Sequence, residues 1–258
     1  MKRSSLALTI VYFTLVLNSG FSQTLKNKII AHRGAWNTAI PENSIASLNR
    51  AIALQCGGTE FDVWMTADSI LVINHDPVHK GLRIEASTYK ELAAKKLNNG
   101  ETIPTLEEYI LAGKSQNFTR LILEIKTSGI SKERTLKLAE KCVQTVKRLK
   151  AANLVDYISF DYDACLKVIE LERKAAVSFL HWKGDIPPAK LKEDGFAGLD
   201  YTLDVYKQHP EYIHQARKLG LKTNVWTIND EKDMKWCLEN NIDYITTDKP
   251  ERLFKLLK

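Results

Sequence analysis

GTEFDVWMTADSILVINHD, residues 58–76, opens on an apolar, β-prone run that carries two carboxylates, Glu60 and Asp62. Side chains alternate across a strand, so these two share one face. Thr66-Ala67-Asp68-Ser69 separates this run from a second apolar stretch, residues 70–74, which ends in His75-Asp76. So short a connection joins only antiparallel strands. A turn centred on Asp68-Ser69 pairs residue 67 with 70 and residue 62 with 75. That register sets the His75 imidazole directly across from the Asp62 carboxylate.

Working outward from this hairpin, βα units accumulate on both sides. Residues 28–31 form a short apolar strand that stops at His32-Arg33-Gly34. Pro41-Glu42-Asn43-Ser44 then opens a helix running to Gln55, with proline in the first turn beside Asn and Ser. After the hairpin, residues 77–102 are a polar insertion with a helix expected over 87–96. Pro104-Thr105-Leu106-Glu107-Glu108 starts another helix. Strands are expected at 121–126, 157–160, 176–182, 197–201, 222–228 and 244–247. Helical patterns fall near 132–150, 163–174, 187–194, 206–219, 230–240 and 250–258. With 28–31 and 58–63 this makes eight β units, the pattern of a single α/β domain built as a TIM (β/α)8 barrel, with a β-hairpin and a short insertion after strand 2. An open doubly wound sheet usually has fewer units and often a Gly-rich phosphate loop, which is missing here.

Residues 1–22 read as a signal peptide, leaving residues 23–258 as the barrel. Lys2 and Arg3 precede an apolar run over 6–17, followed by Gly20 and Ser22 at a small-residue exit. The run is too short for a typical spanning helix, so the mature chain is expected to be exported, periplasmic or secreted, with no stable membrane span. Removing Lys2 and Arg3 and no acid takes the net charge from +6 to +4. The basic residues are dispersed, and the densest run, 137–150, has helical spacing, so nucleic acid is not an expected partner. Cys56, Cys142, Cys165 and Cys237 show no metal-type spacing and sit among apolar neighbours, which suits buried thiols.

In a TIM barrel the chemistry comes from the C-terminal strand ends. Here those ends carry His32-Arg33, Glu60 and Asp62, Glu124 and Lys126, Asp161, His181-Trp182, Asp200, Trp226 and Asp248. Glu60, Asp62 and Glu124 converging on one mouth would repel one another without a positive partner. Either a divalent cation resolves the conflict, Ca²⁺ or Mg²⁺ given all-oxygen ligands, or Arg33 or Lys126 neutralises them in a structural ion network. His32 and His75 each end an apolar strand beside charge and suit proton exchange. His79, His209 and His214 are read as ordinary core or surface histidines. Arg33 and Lys126 are suited to hold an anion such as phosphate.

These residues resemble the glycerophosphodiester phosphodiesterase family. The matching stretches are His32-Arg33-Gly34, Pro41-Glu42-Asn43-Ser44, Glu60-Phe61-Asp62-Val63, His75-Asp76-Pro77, Ile103-Pro104-Thr105-Leu106, Leu123-Glu124-Ile125-Lys126, Val225-Trp226-Thr227 and Thr246-Thr247-Asp248-Lys249-Pro250. They occur in family order across residues 28–250. The resemblance implies a TIM barrel that hydrolyses small-molecule glycerophosphodiesters to glycerol 3-phosphate and an alcohol. It implies His32 and His75 as the acid/base pair, Glu60, Asp62 and Glu124 as ligands of a divalent cation, and Arg33, Lys126, Asn43 and Trp226 as substrate-binding residues. It further implies a cyclic phosphate intermediate formed by the glycerol 2-hydroxyl. Trp226 then packs on the glycerol carbons or serves as a core aromatic. His181, Trp182, Asp200 and Tyr201 line the alcohol pocket or are structural. Ser69 stands where the family usually has glycine, which weakens the tight-turn register. Two alternatives remain: a phospholipase-D-like enzyme acting on lysophospholipids, and a non-catalytic phosphodiester-binding protein.

Overall fold

The structure is a computed structural model that describes residues 28–257; the leader expected over residues 1–22 lies outside the described residues. In chain order the strands are β1 (Ile29–Ala31), β2 (Gly58–Met65), β3 (Leu71–Ile73), β4 (Val78–His79), β5 (Leu82–Arg83), β6 (Arg120–Ile125), β7 (Val155–Ser159), β8 (Val177–His181), β9 (Gly198–Thr202), β10 (Lys222–Trp226) and β11 (Tyr244–Thr247). Eight of them, β1, β2 and β6 to β11, run parallel. Strand β1 pairs with β11 on one side and β2 on the other, which closes the ring. The architecture is the expected TIM barrel.

The two-residue period of a strand divides the apolar residues between two cores. Ile29, Ala31, Phe61, Val63, Leu121 and Leu123 belong to the main core between barrel and helices. Ile30, Ile122, Ile158 and Leu180 alternate with them and form a small cluster inside the ring. Further along the same inner rows the residues turn polar: Glu60, Asp62, Glu124, Asp200, Asn224 and Thr246 are all buried. A barrel interior is normally filled by branched apolar side chains, so this change of character marks where chemistry sits.

Local signals account for the helix starts. Ser44 and Ser47 form a reciprocal capping box at the head of the helix Ile45–Ala53, and Thr105 and Glu108 do the same for Leu106–Gly113. The helix expected over 206–219 is instead two, Leu203–Gln208 and Glu211–Leu219. Pro210 has no N–H to give and its ring crowds the preceding turn, so the chain restarts there. All four cysteines are buried free thiols, as expected. Among the described residues no helix is long and apolar enough to cross a membrane.

The hairpin forms, but one residue out of the expected register. Val63 pairs with Ile73, Trp64 with Val72 and Met65 with Leu71. Asp62 therefore faces Asn74, whose N–H donates to the Asp62 carbonyl at 3.0 Å, and not His75. The cause is a three-residue loop, 67–69, in which Ser69 adopts φ 65° and the Thr66 hydroxyl accepts from the Ile70 N–H. A left-handed residue closing such a loop adds one position to the turn. The insertion that follows packs on the far side of the hairpin, where Trp64 and Val72 meet Ile84, Leu92 and Ile103 in a second core. Its helix is short, Tyr89–Ala93.

Candidate active site

Strand β1 ends where the chain must turn sharply across the mouth of the barrel. Arg33 takes φ 56° and Gly34 φ 81°. Both N–H groups are collected by Glu60, Arg33 through the carboxylate Oε2 at 2.9 Å and Gly34 through the backbone carbonyl at 3.1 Å. A Cβ at position 34 would lie 2.2 Å from Ser47 Oγ and 2.8 Å from the Ser47 carbonyl carbon, so glycine is needed for room as well as for torsion. This turn brings His32, Arg33 and Glu60 to one edge of the mouth.

Glu60, Asp62 and Glu124 then meet. Asp62 and Glu124 are register partners on β2 and β6, and each of the three offers an oxygen within 4.8 Å of the other two. Burial together with the charges of Asp62 and Glu124 raises Glu60 well above the usual carboxylate range. Burial and Asp62 push Glu124 up to about 8, against the opposing pull of Lys126. Burial acts the same way on Asp62, but Lys126, His75, Asn43 and Arg33 together hold it below its ordinary value. Lys126 Nζ sits 3.1 Å from Asp62 and 2.8 Å from Glu124. The ammonium thus neutralises part of the cluster, as the ion-network alternative required. Glu60 Oε1, however, is buried with no hydrogen-bond partner. Three hard oxygen donors, one of them orphaned, fit a divalent cation.

His32 Nδ1 lies 2.7 Å from Asp248 Oδ1, while its Nε2 lies 4.0 Å from Glu60. Asp248 is itself held by Asn229, which donates Nδ2–H to Oδ2 at 2.6 Å and accepts the Asp248 N–H at 2.9 Å. Burial raises the Asp248 carboxyl, but the hydrogen bonds from His32 and Asn229 keep it below its ordinary value. A charged Asp248 assigns the proton to Nδ1 and leaves Nε2 free to exchange one. His75, beyond the end of β3, repeats the pattern with Asp76 Oδ1 at 2.8 Å from Nδ1. The Trp64 indole N–H fixes its carbonyl at 3.1 Å.

A cleft of about 150 Å³ joins these groups. His32, Arg33, Glu60, His75, Glu124 and Lys126 line it on one side, and Phe160, Leu180, Asp200 and Trp226 on the other. The Trp226 indole N–H donates to the Asp200 carbonyl at 3.0 Å, which sets the ring as a wall. The Asp200 carboxyl forms part of the floor; burial pushes it up to about 7, and the hydrogen bond from Asn224 opposes only in part.

Some expected residues sit elsewhere. Asn43, read as a substrate contact, is 3% exposed; its Nδ2 donates to Asp62 Oδ2 at 2.8 Å and its Oδ1 accepts the Asp62 N–H at 3.2 Å. It orients a candidate ligand and has little surface to offer substrate. Glu42 takes Arg33 Nη1 on both carboxylate oxygens at 3.1 Å, so the Pro-Glu-Asn-Ser stretch serves Arg33, Asp62 and a helix cap in turn. Tyr201 is wholly buried, its hydroxyl donating to the Ile186 carbonyl, and is structural. His79 is a satisfied core histidine bonded to the Lys95 carbonyl. Phe160 and Asn229 carried no expected role, and Asp248 was expected at the mouth as a strand-end group without a stated partner. Only closure of β11 against β1 brings Asp248 beside His32, 216 positions away.

The family model described as the glycerophosphoryl diester phosphodiesterase family matches residues 32–252. The chain belongs to this family. It is a phosphoric diester hydrolase. A glycerophosphodiester phosphodiesterase from Caldanaerobacter subterraneus subsp. tengcongensis is 27% identical over 248 residues, covering 91% of this chain and 99% of its own. A crystal structure of a glycerophosphodiester phosphodiesterase from Parabacteroides distasonis superposes with TM-score 0.85 at 44% identity, covering 89% of this chain and 96% of that one. The Oleispira antarctica phosphodiesterase, solved in complex with the product sn-glycerol-3-phosphate, matches at TM-score 0.75 and 26% identity, over 92% of this chain and 98% of its own.

Proposed function

We propose that residues 23–258 form an exported, divalent-cation-dependent phosphodiesterase that releases glycerol 3-phosphate and an alcohol, using His32 and His75 as proton carriers. The observation that carries this reading is convergence. Two histidines, each with Nδ1 against a carboxylate, share one cleft with Glu60, Glu124, Arg33 and Lys126, and Asp62 completes the carboxylate cluster behind it. The Oleispira relative with bound glycerol 3-phosphate supports the product assignment.

Glu60, Asp62 and Glu124 would hold the cation, and Ca²⁺ and Mg²⁺ both suit oxygen donors. When bound, it supplies the positive charge that lets a phosphodiester approach an acidic cluster. Arg33 and Lys126 add fixed positive charge, and the Trp226 ring forms the apolar wall for the glycerol carbons. His32 Nε2 takes the proton of the glycerol 2-hydroxyl as that oxygen attacks phosphorus. The bond from phosphorus to the alcohol oxygen breaks, and His75 gives the alcohol its proton. Water then opens the cyclic phosphate with the roles reversed: His75 takes the water proton and His32 returns its own to the 2-oxygen. The division of labour follows exposure. The His32 side chain is 18% exposed and His75 36%, so the more open histidine serves the group that must leave.

The test is release of glycerol 3-phosphate from a panel of soluble glycerophosphodiesters by the mature chain, stripped with chelator and then given Ca²⁺ or Mg²⁺. Cation-restored release is expected. No release with any diester overturns the reading, and release indifferent to chelation overturns the cation assignment. Export is checked separately by the N-terminal sequence of the secreted or periplasmic protein, expected to begin at residue 23.

A further inference from the structure

Three aromatic rings lead out of the cleft. Trp226 and Phe160 line it, their centroids 5.4 Å apart and their planes at 83°. Phe160 in turn meets Trp182 at 5.0 Å and 43°. Trp182 lies beyond the cleft and is 55% exposed; among the described residues it is the only exposed aromatic side chain. His181 stacks on it at 5.4 Å and 23°, and Asp185 holds the His181 ring with Oδ1 3.0 Å from Nδ1. The rings thus make a continuous wall from the reacting groups to solvent, tilted against one another and braced from behind.

Asp161 follows Phe160 in the chain and accepts the Ala164 N–H as a helix cap, Asp185 sits against the His181 ring, and Lys183 follows Trp182. Arg33 and Lys126, by contrast, are tied to carboxylates on the phosphate side of the cleft. Aromatic faces at an exposed lip favour a cation, and rings tilted against one another favour one too bulky to seek hydrogen bonds.

We propose that Phe160, Trp182 and Trp226 form the alcohol subsite, and that it selects alcohols bearing a quaternary ammonium. The inference rests on the phosphodiesterase reading above. Quaternary methyl groups present both charge and apolar surface to the rings. A primary ammonium is more tightly hydrated and gives up more on leaving water. A neutral tert-butyl group of the same shape keeps the contact and loses the electrostatic attraction.

The experiment compares kcat/KM of the cation-loaded mature enzyme on glycerophosphocholine, glycerophosphoethanolamine and the 3,3-dimethylbutyl ester, the uncharged isostere of the choline ester. The choline ester is expected to lead each of the others by about fivefold or more. Trp182→Leu should bring the three within about twofold, and Trp182→Phe should keep most of the preference. An isostere cleaved as well as the choline ester overturns the proposal, since apolar contact alone then suffices. So does a preference that survives Trp182→Leu. The isostere comparison uses the unaltered protein and holds even where a variant folds poorly. Equal cleavage of all three overturns the subsite but keeps the hydrolase; cleavage of none overturns both.

Discussion

At the scale of single residues, the two candidate proton carriers share one device, a carboxylate on Nδ1. For His32 that carboxylate, Asp248, is itself locked by Asn229, so ring orientation and tautomer are fixed together. His32→Ala and His75→Ala should each lower glycerol 3-phosphate release by about 10²- to 10⁴-fold while thermal melting stays near that of the parent. Near-normal turnover from either variant removes that histidine from the mechanism. Asp248→Asn should also lower kcat by about 10²-fold, because the neutral amide no longer dictates which nitrogen carries the proton. Asp200 is read differently, through stability. Burial raises its folded-state value to about 7, far above that of an unfolded carboxyl. Below about pH 4 it is protonated in both states, and its contribution is fully present. Between about pH 4 and 7 the unfolded chain releases the proton first, so stability falls as pH rises. Asp200→Asn should make that decline shallower while keeping a carbonyl for Asn224, the remainder coming from Glu60 and Glu124, whose carboxyls burial also raises; urea midpoints of parent and variant from pH 4 to 8 will show the difference.

Among the elements, the hairpin is where sequence and structure part. Its existence, its strands and the shared face of Glu60 and Asp62 were legible from alternation. Its register was not, because pairing depends on whether one loop residue adopts positive φ, and the sequence offers serine there. Glycine would relieve the left-handed torsion of Ser69, which costs about 1–2 kcal/mol, though its looser unfolded chain takes some of this back. Ser69→Gly should therefore stabilise by about 0.5–1 kcal/mol in denaturant titration, with the register unchanged. A loss of stability would mean that the Ser69 side chain has a role in the loop. Gly34 is the opposite case. Position 34 has positive φ and no room beside Ser47, so Gly34→Ala should cost at least about 2 kcal/mol and displace His32 and Arg33 with it.

For the molecule as a whole, eight βα units in sequence were enough to name the barrel, and motif order placed most of the mouth. What the chain order hid were the contacts that exist only because the ring closes. Asp248 reaches His32 across the β1–β11 seam, and Phe160, at the end of β7, meets Trp226, at the end of β10. Direct pairing of β2 with β6 sets Glu60 and Asp62 against Glu124, leaving Glu60 Oε1 without a partner even though Lys126 balances Asp62 and Glu124. A fold that concentrates like charge on neighbouring strands is strained by its own site, and anything positive that binds there stabilises the ring. A cation at a hundredfold excess over its dissociation constant adds about 2.7 kcal/mol to folding. In a barrel of this size that is a rise in melting temperature on the order of 5–10 °C. Ca²⁺ or Mg²⁺ should produce this shift in chelator-stripped protein, and Glu60→Gln should shrink it markedly by removing the orphaned donor. Equal shifts in the parent and in Glu60→Gln would move the cation away from these three carboxylates. No shift with either metal would leave Lys126 as the counter-ion on which the cluster depends.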